Sequence, residues 1–125
     1  MRRECVAFLF VLADLANMAA ARTYISCRIR EVNITSGPGE GKSSAHEKDI
    51  SFWLDDISKT IAFVDDTALT VTRFDNNWIT AKHGGVSYEF DRRNGSLSYA
   101  ASESRDRTTT LTVGSGRCES GLRRP

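Results

Sequence analysis

Cys27 and Cys118 stand 91 positions apart, near the two ends of the stretch of this chain that carries strand patterning, and no other feature restricts its fold as much. A bond between them ties the beginning of a domain to its end. The third cysteine, Cys5, falls in an N-terminal stretch built like an export signal. Arg2 and Arg3 supply a positive start, residues 6–12 (VAFLFVL) an apolar run, and Ala19-Ala20-Ala21 the small residues that precede a cleavage point. The expectation is a signal-peptide helix over 1–21, a single domain over 22–120 and a basic tail over 121–125. The apolar run is about half of the roughly 20 residues that a membrane-spanning helix needs, so no stable membrane anchor is expected after cleavage, and the predicted location is periplasmic or secreted.

Once Cys5 is removed, an even pair remains in an oxidising compartment, which favours one disulfide, Cys27–Cys118. Neither cysteine belongs to a C-x-x-C, and no histidine or acidic cluster lies beside them in sequence to complete a metal site. Closing a loop of this length is worth about 4–5 kcal/mol in the chain-entropy model. Against a total stability of about 5–15 kcal/mol for a small domain, that is a large share.

Between the cysteines the chain is cut at short intervals by turn residues, and the pieces between the cuts alternate with period two, the pattern of antiparallel strands. Ile25, Cys27 and Ile29 share a face; so do Ile50, Phe52 and Leu54, then Ile61 and Phe63, then Leu69 and Val71. Residues 78–82 follow Asp75-Asn76-Asn77, and Val86, Tyr88 and Phe90 alternate after His83-Gly84-Gly85. Arg92-Arg93-Asn94-Gly95 is the clearest hairpin signal, because Asn-Gly tolerates the positive φ angles of a tight turn. Leu97 and Tyr99 follow it, and Thr109, Leu111 and Val113 line up in the last strand. Residues 35–48 (TSGPGEGKSSAHEK) are expected to be a long loop, residues 101–107 a polar loop, and Gly114 and Gly116 a loosened approach to Cys118. The predicted fold is all-β: an antiparallel meander of about eight short strands. Left flat, it would expose two edges; a bond between its first strand and the segment after its last brings those edges together. A strongly curved sheet or small barrel is therefore favoured, with a two-sheet sandwich as the alternative.

Charge is nearly balanced, with 17 basic against 16 acidic side chains, which argues against nucleic acid as a partner. Of the two histidines, His46 and His83, each falls in an expected loop, and Ser87 lacks a G-x-S-x-G elbow. Asp55-Asp56, Asp65-Asp66 and Asp75-Asn76-Asn77 sit where turns need Asx side chains; alternate turns of a meander share a rim, so the first and third groups are expected at one end and Asp65-Asp66 with His83 at the other. Arg92 and Arg93 form a basic hairpin tip. Trp53 and Trp78 fall opposite their strands' apolar series, where they either cover a second small core or, with Phe74 and Tyr24, mark a binding patch.

The layout Tyr24-x-x-Cys27, Phe52-x-Leu54-Asp55 followed by Lys59-Thr60-Ile61, then Tyr88-x-Phe90-Asp91-Arg92-x-x-Gly95-x-Leu97 and Gly116-Arg117-Cys118-Glu119 resembles small exported proteins of alphaproteobacteria, especially rhizobial ones. That resemblance implies a periplasmic or secreted β domain and no activity. A weaker one, carried by the opening Tyr-x-x-Cys strand, the closing cysteine and Gly84-Gly85-Val86-Ser87-Tyr88, is to the periplasmic inhibitors of c-type lysozyme, which are small β barrels. The chain lacks the tryptophan-containing segment that follows the signature there. The expected function is a non-enzymatic binding module of the cell envelope, without cofactor or metal, recognising a protein, a glycan or a small ligand. Its candidate residues are Trp53, Trp78, His83, Ser87, Arg92 and Arg93. The alternatives are a lysozyme-inhibitor-like protein and a small hydrolytic or metal-dependent enzyme using His46 or His83.

Overall fold

The computed structural model describes residues 22–39 and 41–121; the expected signal segment 1–21 with Cys5, and the expected tail beyond Gly121, lie outside them. Period-two alternation produces eight strands and, among the described residues, no helix: β1 (Arg22–Ser36), β2 (Lys42–Asp55), β3 (Thr60–Phe63), β4 (Thr70–Phe74), β5 (Trp78–His83), β6 (Val86–Asp91), β7 (Ser96–Arg105) and β8 (Thr108–Gly121). All pair antiparallel in one sheet of order β3-β2-β1-β8-β7-β6-β5-β4. The meander is thus closed by pairing its two terminal strands, from Tyr24 opposite Gly121 to Ser36 opposite Thr109. Cys27 and Cys118 are direct partners in that register, with Cα atoms 3.9 Å apart, and their disulfide pins it.

The remaining seam lies between β3 and β4. It is drawn together by a single bridge, Ala62 to Ala68, made by two backbone bonds: the Phe63 amide donates to the Thr67 carbonyl at 2.9 Å and the Leu69 amide to the Ile61 carbonyl at 3.0 Å. The result is a nearly closed, barrel-shaped sheet. Along β1, β2, β5 and β7 its inner face follows the alternation: Ile25, Cys27 and Ile29 on β1 meet Phe52 and Leu54 on β2, Ile79 and Ala81 on β5, and Leu97 on β7. On β8 the expected series Thr109, Leu111 and Val113 is not the inner one: Leu111 and Val113 are exposed, and the pairing of Cys118 with Cys27 turns Gly116 and Gly114 inward instead. The interior is filled. The cavity between Ile25, Phe52, Leu54, Ile61, Phe90 and Leu97 holds only about 10 Å³, less than a water molecule needs.

Three expectations are corrected, all in the same direction. Residues 35–48 are not a long loop: β1 runs to Ser36 and β2 begins at Lys42. Residues 101–105 continue β7, and β8 runs through Gly114 and Gly116 to Gly121, so Cys118 lies inside the last strand rather than after it. Each segment is rich in Ser, Thr, Gly or charge, and each becomes strand because a long neighbour supplies a complete hydrogen-bonding ladder. The Arg92–Gly95 turn is also longer than a two-residue hairpin: Gly95 alone has positive φ, and its amide reaches back to the Asp91 carbonyl at 2.9 Å.

Gly114 and Gly116 serve close approach. A methyl group on Gly116 would strike the backbone carbonyl of Arg28 on the neighbouring strand, and one on Gly114 would strike the Tyr99 ring. Because a backbone atom cannot swing aside, Gly116→Ala is expected to lower stability by about 2–3 kcal/mol, read from the urea midpoint. Replacing both Cys27 and Cys118 by Ala is expected to cost about 2–5 kcal/mol in the same measurement.

Candidate functional site

The strands are unequal, and this creates the site. β3 to β6 end at the level of Phe63 and His83, whereas β1, β2, β7 and β8 run on past them as a four-stranded ribbon. Where the barrel opens, the inward positions change character. On β1 the series Ile25, Cys27, Ile29 continues as Glu31; on β2 the series Leu54, Phe52, Ile50 continues as Lys48 and His46. Glu31 is nevertheless buried, at 8% exposure.

Burying a carboxylate is costly unless its oxygens are satisfied, and here they are. Tyr99 Oη donates to Glu31 Oε1 at 2.6 Å, Lys48 Nζ donates to the same oxygen at 3.3 Å, and His46 Nε2 lies 2.9 Å from Oε2. His46 is the direct partner of Glu31 in the β1–β2 register. Tyr99 is on β7, two strands from β1, and Gly114 is the residue opposite both of them on the intervening β8. With no side chain at Gly114, the tyrosine ring lies across β8 and its hydroxyl reaches Glu31.

This geometry sets the titration behaviour. The Tyr99 hydrogen bond, helped by Lys48 and His46 and opposed by burial, holds the Glu31 carboxyl below its ordinary range. Burial first, then the hydrogen bond to the Glu31 anion, pushes the Tyr99 phenol well above the usual tyrosine range; burial and the same anion raise Tyr88. Below the polar array lies an aromatic floor. Tyr99 and Tyr88 are 5.5 Å apart between ring centroids, Tyr88 and Phe63 5.9 Å, and Phe63 and His83 5.5 Å. Lys48 Nζ sits 5.7 Å from the centre of the Tyr99 ring. The open end therefore presents an ammonium and an imidazole around one fixed carboxylate, beside partly exposed aromatic edges. Such a surface can hydrogen-bond, pair charge and stack, while its phenol is held in the neutral form.

The six residues singled out from sequence do not gather. His83 stands exposed on the rim of this open end. Ser87 lies on the outer face, in a shallow groove of about 410 Å³ shared with Lys82, Ser98 and Ala100. Trp53, on the outer face of β2, packs edge-on to Tyr24 at 5.3 Å under the Arg22 guanidinium at 4.4 Å. Trp78 is two strands beyond β3, under Arg93 at 4.8 Å. The tryptophans thus form neither a joint patch nor a second core. Arg93 is itself held by the buried Asp91 at 3.0 Å. Arg92 ties the opposite end of the barrel together, 2.8 Å from Asp56, donating to the Asp75 carbonyl at 3.0 Å, and over Phe74 at 5.5 Å. Asp56 and Asp75 do share that rim, and Asp65 lies near His83 at the other end. The carboxylates of these turns bond turn backbones: Asp55 accepts from the amides of Ile57 and Ser58, and Asp75 from those of Asn77 and Trp78. Among the described residues no group of three or more His, Cys, Asp or Glu side chains is placed to hold a metal ion.

Comparison of the chain with protein-family models, curated proteins and solved structures gave no match in any of the three. Glu31, Lys48 and Tyr99 carry no motif, and His46 stood in an expected loop. The signal that finds them is the period itself: counting by twos from Ile25 through Cys27 and Ile29 lands a carboxylate on the inner face.

Glu31 tests the array. A carboxyl whose folded pKa is lowered contributes stability that is complete above its ordinary value of 4.5 and is lost as pH falls through the folded value. Glu31→Gln is expected to lower stability by about 1–3 kcal/mol at pH 7. The gap between variant and wild-type urea midpoints is expected to narrow as the pH falls below 4.5.

Proposed function

We propose that the protein is a non-enzymatic binding module of the cell envelope or exterior, exported with loss of residues 1–21, which engages its partner with the open end of the barrel. The observation that carries this is the Glu31–His46–Lys48–Tyr99 array set beside exposed aromatic edges, at the one end where long strands extend an inner face beyond the core. The filled interior supports recognition at the mouth rather than enclosure of a ligand. Binding is favoured over catalysis because the carboxylate is occupied by two hydrogen-bond donors with the His46 ring against its other oxygen, and the phenol is stabilised as the neutral form, which leaves neither primed as base or nucleophile. The disulfide is compatible with an oxidising, extracytoplasmic compartment, and among the described residues no helix is long and apolar enough to cross a membrane.

A partner of mixed chemistry fits such a surface: an envelope protein, a glycan or a small polar ligand. Native mass spectrometry of the protein recovered from its own compartment is expected to show a retained species. Lys48→Gln and His83→Ala, which change exposed side chains of the mouth, are expected to lose it while keeping the wild-type melting temperature within a few degrees. Inhibition of c-type lysozyme, assayed with the same variants, separates an inhibitor from other binders. A species retained equally by both variants would remove the mouth from consideration.

A further inference from the structure

The unequal strands leave a second consequence, in the backbone rather than the side chains. β3 covers β2 only from Phe52 to Asp55, while β2 begins at Lys42. Among the described residues, the outer edge of β2 from Lys42 to Ser51 therefore has no strand beside it. The hydrogen-bond phase of this edge follows from the disulfide pair. A Cα separation of 3.9 Å is that of a non-hydrogen-bonded antiparallel pair, and the Cys118 amide accordingly turns away from β1, to the Gly95 carbonyl at 2.7 Å. The backbone groups of Cys27 thus face β2, where Ile50 is its partner. The even positions of β2 bond to β1, and the amides and carbonyls of Ser43, Ala45, Glu47, Asp49 and Ser51 point outward.

We propose that this edge pairs with the same edge of a second copy, antiparallel, about a two-fold axis at His46. The edge is self-complementary in size. Folding residues 42–50 back on themselves about His46 sets His46 opposite its own copy, Ala45 opposite Glu47, Ser44 opposite Lys48, Ser43 opposite Asp49 and Lys42 opposite Ile50, so every lysine and every acidic side chain meets a small one or an apolar one. No acidic side chain faces an acidic one directly and no lysine faces a lysine. The two copies of Glu47, diagonal across the axis, are each paired with their own Arg28 at 2.9 Å. Register length agrees as well: pairing over 42–50 uses the free edge up to the point at which β3 begins to cover β2. The other open edge of the ribbon, β7 beyond Ala100, is shorter and ends in the turn at Asp106. Joined in this way, the ribbons form one continuous sheet. Both Glu31–His46–Lys48 arrays then lie on the same side of it, so the assembly is bivalent. The dimer does not depend on the binding function proposed above.

Sedimentation equilibrium of the disulfide-intact chain tests it, using substitutions at Ala45, whose side chain is exposed on the outer face. Wild type is expected to show a concentration-dependent monomer–dimer equilibrium. Ala45→Glu places a carboxylate opposite Glu47 of the other copy, twice by symmetry, and is expected to weaken the dimer about tenfold. Ala45→Lys is expected to strengthen it by a similar factor. Unchanged melting temperatures identify both variants as folded. A monomer throughout the millimolar range overturns the proposal, and a dimer indifferent to both substitutions overturns this edge as its interface. If the wild type is monomeric but an added extended peptide shifts the amides of Ser43, Ala45, Glu47 and Asp49, the edge serves a heterologous strand instead, and the second copy is refuted.

Discussion

The pairing of β1 with β8 is the contact on which the rest of this structure depends. A meander joins each strand to the next at little entropic expense, because its turns are short. The terminal strands are the exception, since bringing them together closes a loop that includes almost the whole domain. Pairing over 13 residue positions on each strand, with Cys27 bonded to Cys118 inside the register, offsets that cost. It converts an open ladder with two exposed ends into a tube with one weak seam. Every inward side chain, from Ile25 to Leu97, then faces another across a filled interior.

The same pairing also produces the open end. β1 and β8 run alongside each other well beyond the reach of β3 to β6, and β2 and β7 follow their outer edges. Alternation does not stop where the core stops. It goes on placing side chains on the inner face, and there the sequence changes from aliphatic to polar, with Glu31 at the transition. Its oxygens are satisfied by groups from two other strands. Position, burial and charge at the mouth are thus all consequences of the β1–β8 register.

Much of this was legible in the sequence. The all-β class, the eight strands, the inner-face residues up to Phe90 and the Cys27–Cys118 bond follow from period-two patterning, Asx and Gly turns and cysteine arithmetic. The ribbon was not. Residues 42–48, 101–105 and 114–116 have the composition of loops, and local propensity is a poor guide when a strand is exposed on one or both faces and held chiefly by its neighbours' backbone. That misjudgement hid the site, because His46 and Lys48 become partners of Glu31 only if their segment is a strand in register with β1. The role of Gly114 was hidden for a different reason: it depends on Tyr99 from another strand, and no single-segment pattern contains both. The tryptophans drew attention by size, yet each is packed on the outer face beneath an arginine.

The seam between β3 and β4 bears on motion. Everywhere else around the tube, neighbouring strands share a ladder of at least four residue pairs, but here a single bridge of two backbone bonds, Phe63 to Thr67 and Leu69 to Ile61, spans the gap. Sub-global opening starts where the fewest hydrogen bonds must break together. The barrel is therefore expected to open first along this line, with β3 swinging away from β4 on the turn between them. Phe63 moves with β3, carrying with it one tile of the aromatic floor. The least protected amides of the core are thus mechanically linked to the mouth, and a molecule seated against Phe63 and Tyr88 would slow the tube's own fluctuations.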